Sequence, residues 1–386
     1  MSRFAKFAVL ALLVLPSAVR AEAGPALKIG MSTALYGPAA GLGRGMRAGV
    51  EAYFARVNQA GGINGQRLEL LTLDDQYEPS RAGPNVRKLI DTEHVLAIVG
   101  NVGTPTAVVT VPIANEKKVP LFGAFTGAGV LRKTPPDRYV FNVRASYADE
   151  TAEMVRGLLE DRHLNPSDIG FFTQDDAYGD AGFAGAVKAL AAHGFKNADS
   201  LPHGRYTRNT LDVEDALAHL LDPRVHPKAV IMVGTYKPCA KFVRLARKEG
   251  LHVIFANVSF VGSADLLKEL GKDAEGVVIT QVVPHWSADF PILKEYRESE
   301  LEPSFVSLEG FLVGRAFTEV LRAAGPSPTP ELFVQAAESG TEFDLGLGKS
   351  QALSKTRHGF SSSVWPTVIA HGEFRAFSNW QELKVQ

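Results

Sequence analysis

From Leu27 onward, short apolar runs alternate with stretches of helical period, and glycine or proline closes each helix. The pattern predicts strands at 27–32 (LKIGMS), 67–73 (RLELLTL), 95–100 (VLAIVG) and 119–123 (VPLFG). The helix after the first strand carries Met46, Val50, Phe54 and Val57 on one face and stops at Gly61-Gly62; a second helical stretch runs from Thr104 to Lys118. After a break near Val143 the same order restarts, with strands at 168–173, 228–234, 252–257 and 275–281 and helices at 180–193 and 237–249. Such alternation implies parallel α/β sheets, and two sets of strands, each too short for the whole chain, imply two doubly wound lobes. A closed barrel is the competing architecture. The proline-rich PSPTP at 326–330 reads as a short loop, and no internal repeat is visible.

A length of 386 residues with 45% hydrophobic content suits two domains. Before the first strand, MSRFAKFAVLALLVLPSAVRAEAG places Arg3 and Lys6 ahead of an apolar stretch ending at Leu15, then small residues suited to cleavage after Ala21 or Ala23. Residues 1–23 are therefore expected to be a secretion signal, the stretch being too short to span a bilayer. Without residues 1–21 the chain has 38 basic and 42 acidic side chains, a net charge of −4 and no run of like charge. Nothing points to nucleic acid or to membrane insertion. Cys239 is the only cysteine, so neither an internal disulfide nor a lipid anchor at the mature N-terminus is expected. A product free in the periplasm follows.

Catalytic motifs are absent. The stretch GRGMRA (43–48) fits a dinucleotide pattern but lies about ten residues past the strand, where a plain glycine-rich loop explains it as well. The GKS at 348–350 has Phe343 where a phosphate loop needs glycine. There is no GxSxG elbow, HExxH or paired-cysteine site, and the ten histidines, among them His193, His203, His219 and His226, are scattered. Cys239 reads as a buried small residue or, less simply, as a nucleophile. A binder without cofactor or metal is expected, not an enzyme.

Binding residues should lie in loops at the carboxyl ends of the strands. In GNVGTPTAVV (100–109), Thr104 before Pro105 has the pattern of a helix cap, which would leave the amides near Thr106 and the positive helix end facing a carboxylate; Thr104 simply capping its own helix is the alternative, and both can hold. GAFTGAG (123–129) offers further amides beside Phe125, or is only a connection. Tyr178 and Tyr236 follow strands of the second set and are placed to close over a ligand. The acids Asp74-Asp75 at the end of the second strand are expected to cap loops at the rim, and Asn64-Gly65 to form the tight turn before it.

The runs GGINGQRLELLTLDDQYEP, VLAIVGNVGTPTA, VPLFGAFTGA, RYVFNVRASYADE, QDDAYG and AVIMVGTY occur in order, and together they resemble periplasmic substrate-binding proteins of ATP-driven (ABC) transporters, of the leucine/isoleucine/valine-binding type. The resemblance covers essentially the whole mature chain. It implies a type I periplasmic binding fold: α/β, two doubly wound parallel-sheet lobes joined by three hinge crossings, here near Val143, Val283 and Asp344. The first lobe would be 27–143 with 284–343, the second 144–283 with 344–386. It also implies a monomer that captures a small molecule between the lobes for an inner-membrane permease; a ligand-sensing module of the same fold is the alternative. The ligand-binding set so implied is Thr104, Thr106, Phe125, Thr126, Gly127, Tyr178, Tyr236 and Ser259, with Leu42 and Tyr147. Ser259 stands where amino-acid binders of the family place an acid for the ligand's ammonium, so a carboxylate lacking the amine, an aromatic acid or an amide is expected unless Asp175, Asp176 or another acid substitutes and admits an amino acid. The whole expectation is of an anionic small molecule clasped at a jaw between the two lobes, facing the electropositive start of the segment after Gly103; a jaw filled by the chain's own side chains would overturn it.

Overall fold

The computed structural model describes residues 24–383, so the expected secretion signal lies outside the described residues. The chain begins with β1 (Gly24–Thr33), α1 (Ala40–Gln59), β2 (Gln66–Asp74), α2 (Pro79–Asp91), β3 (Ile98–Val99), α3 (Thr104–Lys117), β4 (Leu121–Phe122) and β5 (Val140–Phe141). It continues with α4 (Tyr147–Arg156), β6 (Ile169–Gln174), α5 (Ala177–Ala192), β7 (His203–Tyr206), α6 (Glu214–Leu220), β8 (Ala229–Val233), α7 (Tyr236–Lys248), β9 (Ile254–Asn257), α8 (Ser263–Leu270) and β10 (Val278–Gln281). The last part is α9 (Pro291–Arg297), α10 (Phe305–Ala323), α11 (Pro330–Glu338), β11 (Ser339–Phe343), β12 (Gln351–Ser354), β13 (Trp365–Ala370) and β14 (Glu373–Ala376).

The strands form a five-stranded sheet, β2-β1-β3-β4-β5, and a seven-stranded sheet, β14-β13-β10-β9-β8-β6-β7. The first is parallel throughout, whereas β13 and β14 pair antiparallel at the edge of the second, contrary to a purely parallel reading. All eight expected strands are present. The architecture is two α/β lobes, each built on its own sheet, and no barrel closes.

Local chemistry explains the joints. The glycines after α1 are left-handed, Gly61 at φ 99° and Gly62 at φ 78°, a conformation that ends a helix at little steric cost. Asn64 and Gly65 also have positive φ and turn the chain so that Ile63 bridges Gln66 just ahead of β2. The apolar face of α1 (Met46, Val50, Phe54, Val57) is buried, and it lies against α10 with Tyr53 edge-on to Phe311 at 5.0 Å.

Three passages join the sheets. The first follows β5, the second follows β10, and the third lies between Phe360 and β13, well beyond the Asp344 expected. The intervening segment stays with the first lobe because its side chains complete that core. Phe343 meets Phe360, Phe360 meets Phe122, and His358 stacks on Phe141 at 4.3 Å. Asn142 in the first passage bridges Gly359 in the third, its amide donating to the His358 carbonyl at 2.7 Å.

Helices α1 and α10 touch backbone to backbone at Gly49 and Gly310, where a β-carbon on Gly49 would collide with the Ser307 carbonyl. Gly49→Ala should push the helices apart and destabilise the protein by ~1–3 kcal/mol, despite alanine's better helix propensity. Urea unfolding checks this, and a variant as stable as the parent would show that the contact yields easily.

Candidate functional site

The loops leaving β3 and β4 run side by side, Val102 bridging Phe125, and deliver the start of α3 to the face opposite the second lobe. Gly103, at φ 108°, is the residue before the helix, and a β-carbon there would strike the Tyr77 ring. The expected cap is therefore displaced by one residue. Thr104 is the first helical residue and makes no cap; its hydroxyl shares a 2.6 Å hydrogen bond with that of Thr126. The first backbone bond of α3 runs from Ala107 to Gly103, so the amides before it have no helical acceptor. The Thr106 hydroxyl turns back to the Val102 and Gly103 carbonyls, at 2.6 and 2.9 Å, and does not reach across. Gly127 accepts from the Tyr147 amide at 2.9 Å and has no room for a side chain against the Tyr147 ring.

Seven of the ten expected residues meet in one interlobe layer: Thr104, Phe125, Thr126, Gly127, Tyr147, Tyr178 and Ser259. Leu42 and Tyr236 form a neighbouring contact, where Gly41 donates its amide to the Tyr236 hydroxyl at 3.3 Å and the Leu42 side chain lies against Gly262. The layer is not an open jaw. Phe260, which the sequence reading did not single out, inserts between the lobes and meets Tyr178 at 4.6 Å, Phe125 at 5.3 Å, Tyr77 at 5.9 Å and Tyr147 at 6.5 Å between ring centres. The nine expected residues with side chains are at most 5% exposed, so no ligand fits beside them unless the lobes part. The expected jaw is thus filled by the chain's own aromatic side chains, and in this arrangement it has no room for an anion. A remaining gap of about 170 Å³ beside Phe125, Ser259 and Glu309 is tight.

At the centre of the layer lies Arg144, in the first passage, 2% exposed. Its guanidinium sits 4.6 Å over the Phe125 ring, contacts the Ser259 hydroxyl, and reaches Glu150 of α4 at 3.5 Å and Glu309 of α10 at 3.6 Å. Burial opposes the charge on Arg144, but the two glutamates outweigh it and raise its affinity for the proton. Glu150 is pushed upward by burial and held back by Arg144, by the Ser259 amide at 2.7 Å and by the Thr280 hydroxyl at 2.7 Å. Glu309 has less support: one oxygen has no hydrogen-bond partner, and burial pushes its carboxyl up to about 7. One guanidinium thus faces two glutamates, of which Glu309 takes up a proton the more readily. Arg144 Nε and Nη1 and the Tyr147 hydroxyl also lack acceptors or donors at hydrogen-bond distance.

This cluster revises the reading of Ser259. An acid does stand there, because Glu150 accepts from both the amide and the hydroxyl of Ser259. Asp175 and Asp176 are engaged elsewhere, Asp175 with Arg205 at 3.2 Å and Asp176 as the cap of α5 and partner of Arg208 at 2.9 Å. Arg208 also reaches Glu78 of the first lobe at 2.9 Å, Asn209 donates to Glu78 at 2.6 Å, and Gln174 donates to the Tyr77 hydroxyl at 3.1 Å. These bonds tie the rims together. The acids at the end of β2 cap loops as expected: Asp74 accepts from the Leu35 amide at 2.7 Å, and buried Asp75 accepts from the Ser32 hydroxyl at 2.7 Å and the Tyr77 amide at 2.9 Å.

A family model described as periplasmic binding protein matches residues 26–372. A crystal structure of a possible leucine/isoleucine/valine-binding protein from Rhodopirellula baltica SH 1 is 47% identical, with a TM-score of 0.90, covering 95% of this chain and 100% of that one. The Leu/Ile/Val-binding protein of Escherichia coli K12 is 23% identical over 294 residues, 72% of this chain and 74% of its own. A branched chain amino acid ABC transporter protein from Thermus thermophilus, solved with bound valine, shares the fold at 18% identity and a TM-score of 0.79, covering 92% of this chain and 96% of that one. No helix among the described residues is long and apolar enough to cross a membrane.

Two outcomes follow from the packing. Phe260→Ala removes the ring that joins both lobes and should cost about 3–5 kcal/mol in chemical denaturation; a loss below ~1 kcal/mol would show that the layer is not tightly packed. Glu309 is raised when folded, so its stabilising contribution is complete below its ordinary value of 4.5 and is lost as pH rises through about 7. Glu309→Gln should flatten that part of the stability profile between pH 5 and 8. Parallel profiles for parent and variant would place the titration elsewhere.

Proposed function

The chain belongs to the periplasmic binding protein family, and from that premise we propose that it is a periplasmic receptor which captures a small carboxylate-bearing molecule between its lobes and hands it to an ABC importer of the inner membrane. The ligand class comprises amino acids, amides, and aromatic or aliphatic acids. Location in the periplasm rests on the expected secretion signal together with the family. The reading is of a carrier rather than a catalyst, with the side chains of the layer serving to hold and orient.

The observation that carries the reading is the convergence of the α3 start, the Thr104 and Thr126 hydroxyls, Tyr147 and Arg144 on one interlobe layer. Amides at a helix start, hydroxyls and a guanidinium are the donors a carboxylate needs. Glu150 supplies a counter-charge for an ammonium once Arg144 turns to the carboxylate, so amino acids remain within the class; the relative solved with bound valine agrees with this. The rings of Phe125, Tyr178 and Phe260 would cover the apolar part of the ligand. Entry requires the lobes to separate and then to close over the ligand in place of the self-packed layer. Micromolar affinity corresponds to about −8 kcal/mol, within reach of a few charge-assisted hydrogen bonds and one buried side chain.

A thermal-shift screen of amino acids, amides, aliphatic acids and aromatic acids tests the class; stabilisation by none of them sinks the proposal. With a ligand in hand, Thr104→Ala should weaken binding by ~1–3 kcal/mol with the fold intact. Unchanged affinity by calorimetry would remove Thr104 from the site.

A further inference from the structure

Behind the interlobe layer, the first and third passages line a half-open cavity of about 380 Å³ whose wall includes Arg132, Lys133, Asn142, Asp149 and Arg357. Its charge is poorly balanced. Arg132 is crowded by protein and donates only to carbonyls, those of Thr126 at 3.2 Å, Ala128 at 3.0 Å and Arg144 at 3.0 Å. Burial, and then the neighbouring Arg144 charge, lower its proton affinity to about 10. Arg357, on the exposed side, donates to the Gly359 carbonyl at 3.2 Å and the Gln351 side chain at 3.0 Å. Among the described residues neither Arg132 nor Arg357 has a carboxylate at ion-pair distance.

The other charges are already engaged. Lys133 pairs with Asp137 at 2.8 Å. Asp149, the carboxylate in the wall, accepts from the Ser146 amide at 2.8 Å and hydroxyl at 2.6 Å as the capping box of α4. His358 points Nδ1 at the Val140 carbonyl, 2.9 Å away, and its Nε2 lies 3.4 Å from Glu338. Arg144 belongs to its two glutamates, although its Nε and Nη1 lack hydrogen-bond partners. Asn142 gives its amide hydrogens to the Leu131 carbonyl at 2.8 Å, and its buried carbonyl oxygen is unpartnered. Two guanidiniums without carboxylate partners in the same wall describe a ligand of charge −2.

We propose that this hinge cavity is a second ligand site, which takes a small doubly charged oxyanion of the hydrogen-phosphate kind between Arg132 and Arg357. Such an ion would also brace the hinge. The first passage is already bonded to the third through Asn142 and His358 at 2.7 Å and through Phe360 and Asn142 at 2.9 Å, and an anion across both would restrict their relative rotation.

The test is calorimetric titration of the whole protein with inorganic phosphate at pH 8, at ionic strength held constant with chloride. The expected result is one phosphate per chain, with affinity falling at least tenfold in Arg357→Gln, an exposed position where folding is not at stake. Arg132→Gln should show the same loss, and Thr104→Ala should bind phosphate as the parent does. No binding by the parent, or equal binding by Arg357→Gln, overturns the proposal. Phosphate binding that Thr104→Ala abolishes would put the anion in the interlobe layer and overturn it as well, whatever becomes of the carboxylate reading.

Discussion

The arrangement of the two lobes depends on one buried cation. Arg144 lies in the first passage and is held from the first lobe by Glu309 and Phe125 and from the second by Glu150 and Ser259. A buried charge with its partners removed costs several kcal/mol, so the lobes cannot shear past each other in the dry state without a large penalty. Separation is a different matter. Opening the layer to water hydrates Arg144 and both of its glutamates together, which offsets much of what the pairing contributes. The cluster therefore opposes partial opening more strongly than full opening, and that favours two discrete arrangements over a continuum.

A ligand competes with the protein's own side chains. In the self-packed layer Phe260 supplies apolar contact and Arg144 sits over an aromatic face, so closure without ligand already buries the surfaces a ligand would bury. Affinity is then reduced by the fraction of chains in the packed arrangement, and selectivity falls to contacts the packed layer leaves unmade. Those are the unpartnered Arg144 nitrogens, the Tyr147 hydroxyl and the amides at the start of α3, all of which are donors. Burial pushes the Tyr147 hydroxyl up to about 12, so it remains a donor at neutral pH.

Most of the scaffold was legible in the sequence because period and punctuation act locally. The stop at Gly61-Gly62, the turn at Asn64-Gly65 and the buried face of α1 each depend on a few neighbouring residues. What escaped depends on residues far apart. At the antiparallel edge β14 (EFRA) has little apolar signal and the apolar β13 (WPTVIA) does not by itself say which strand it pairs with or in which direction, while the third passage comes late because Phe343, His358 and Phe360 find their partners in a core formed about 200 residues earlier. Within the site, loops at strand ends were readable, and Thr104, Phe125, Tyr147 and Tyr178 come together. Arg144, Glu150 and Glu309 were not, since a charged residue reads as surface until its partners, up to 165 positions away in sequence, are known. The signal available was Arg144 standing directly after Val143, where a buried passage was already expected.

The placement of that charge follows from the topology. In each lobe the parallel strands aim their carboxyl ends at the opposite lobe, so the facing surfaces consist of loop amides and helix starts, which are donors without acceptors. Two donor-rich surfaces brought together in a dry layer would leave buried polar groups unsatisfied on both sides. Glu150 answers this for the second lobe by taking the Ser259 amide, the Ser259 hydroxyl and the Thr280 hydroxyl, and Arg144 then neutralises the carboxylate that does so. Among the described residues, no carboxylate of the first lobe takes up the amides at the start of α3. Under the proposed function, a carboxylate from outside the chain would supply that acceptor.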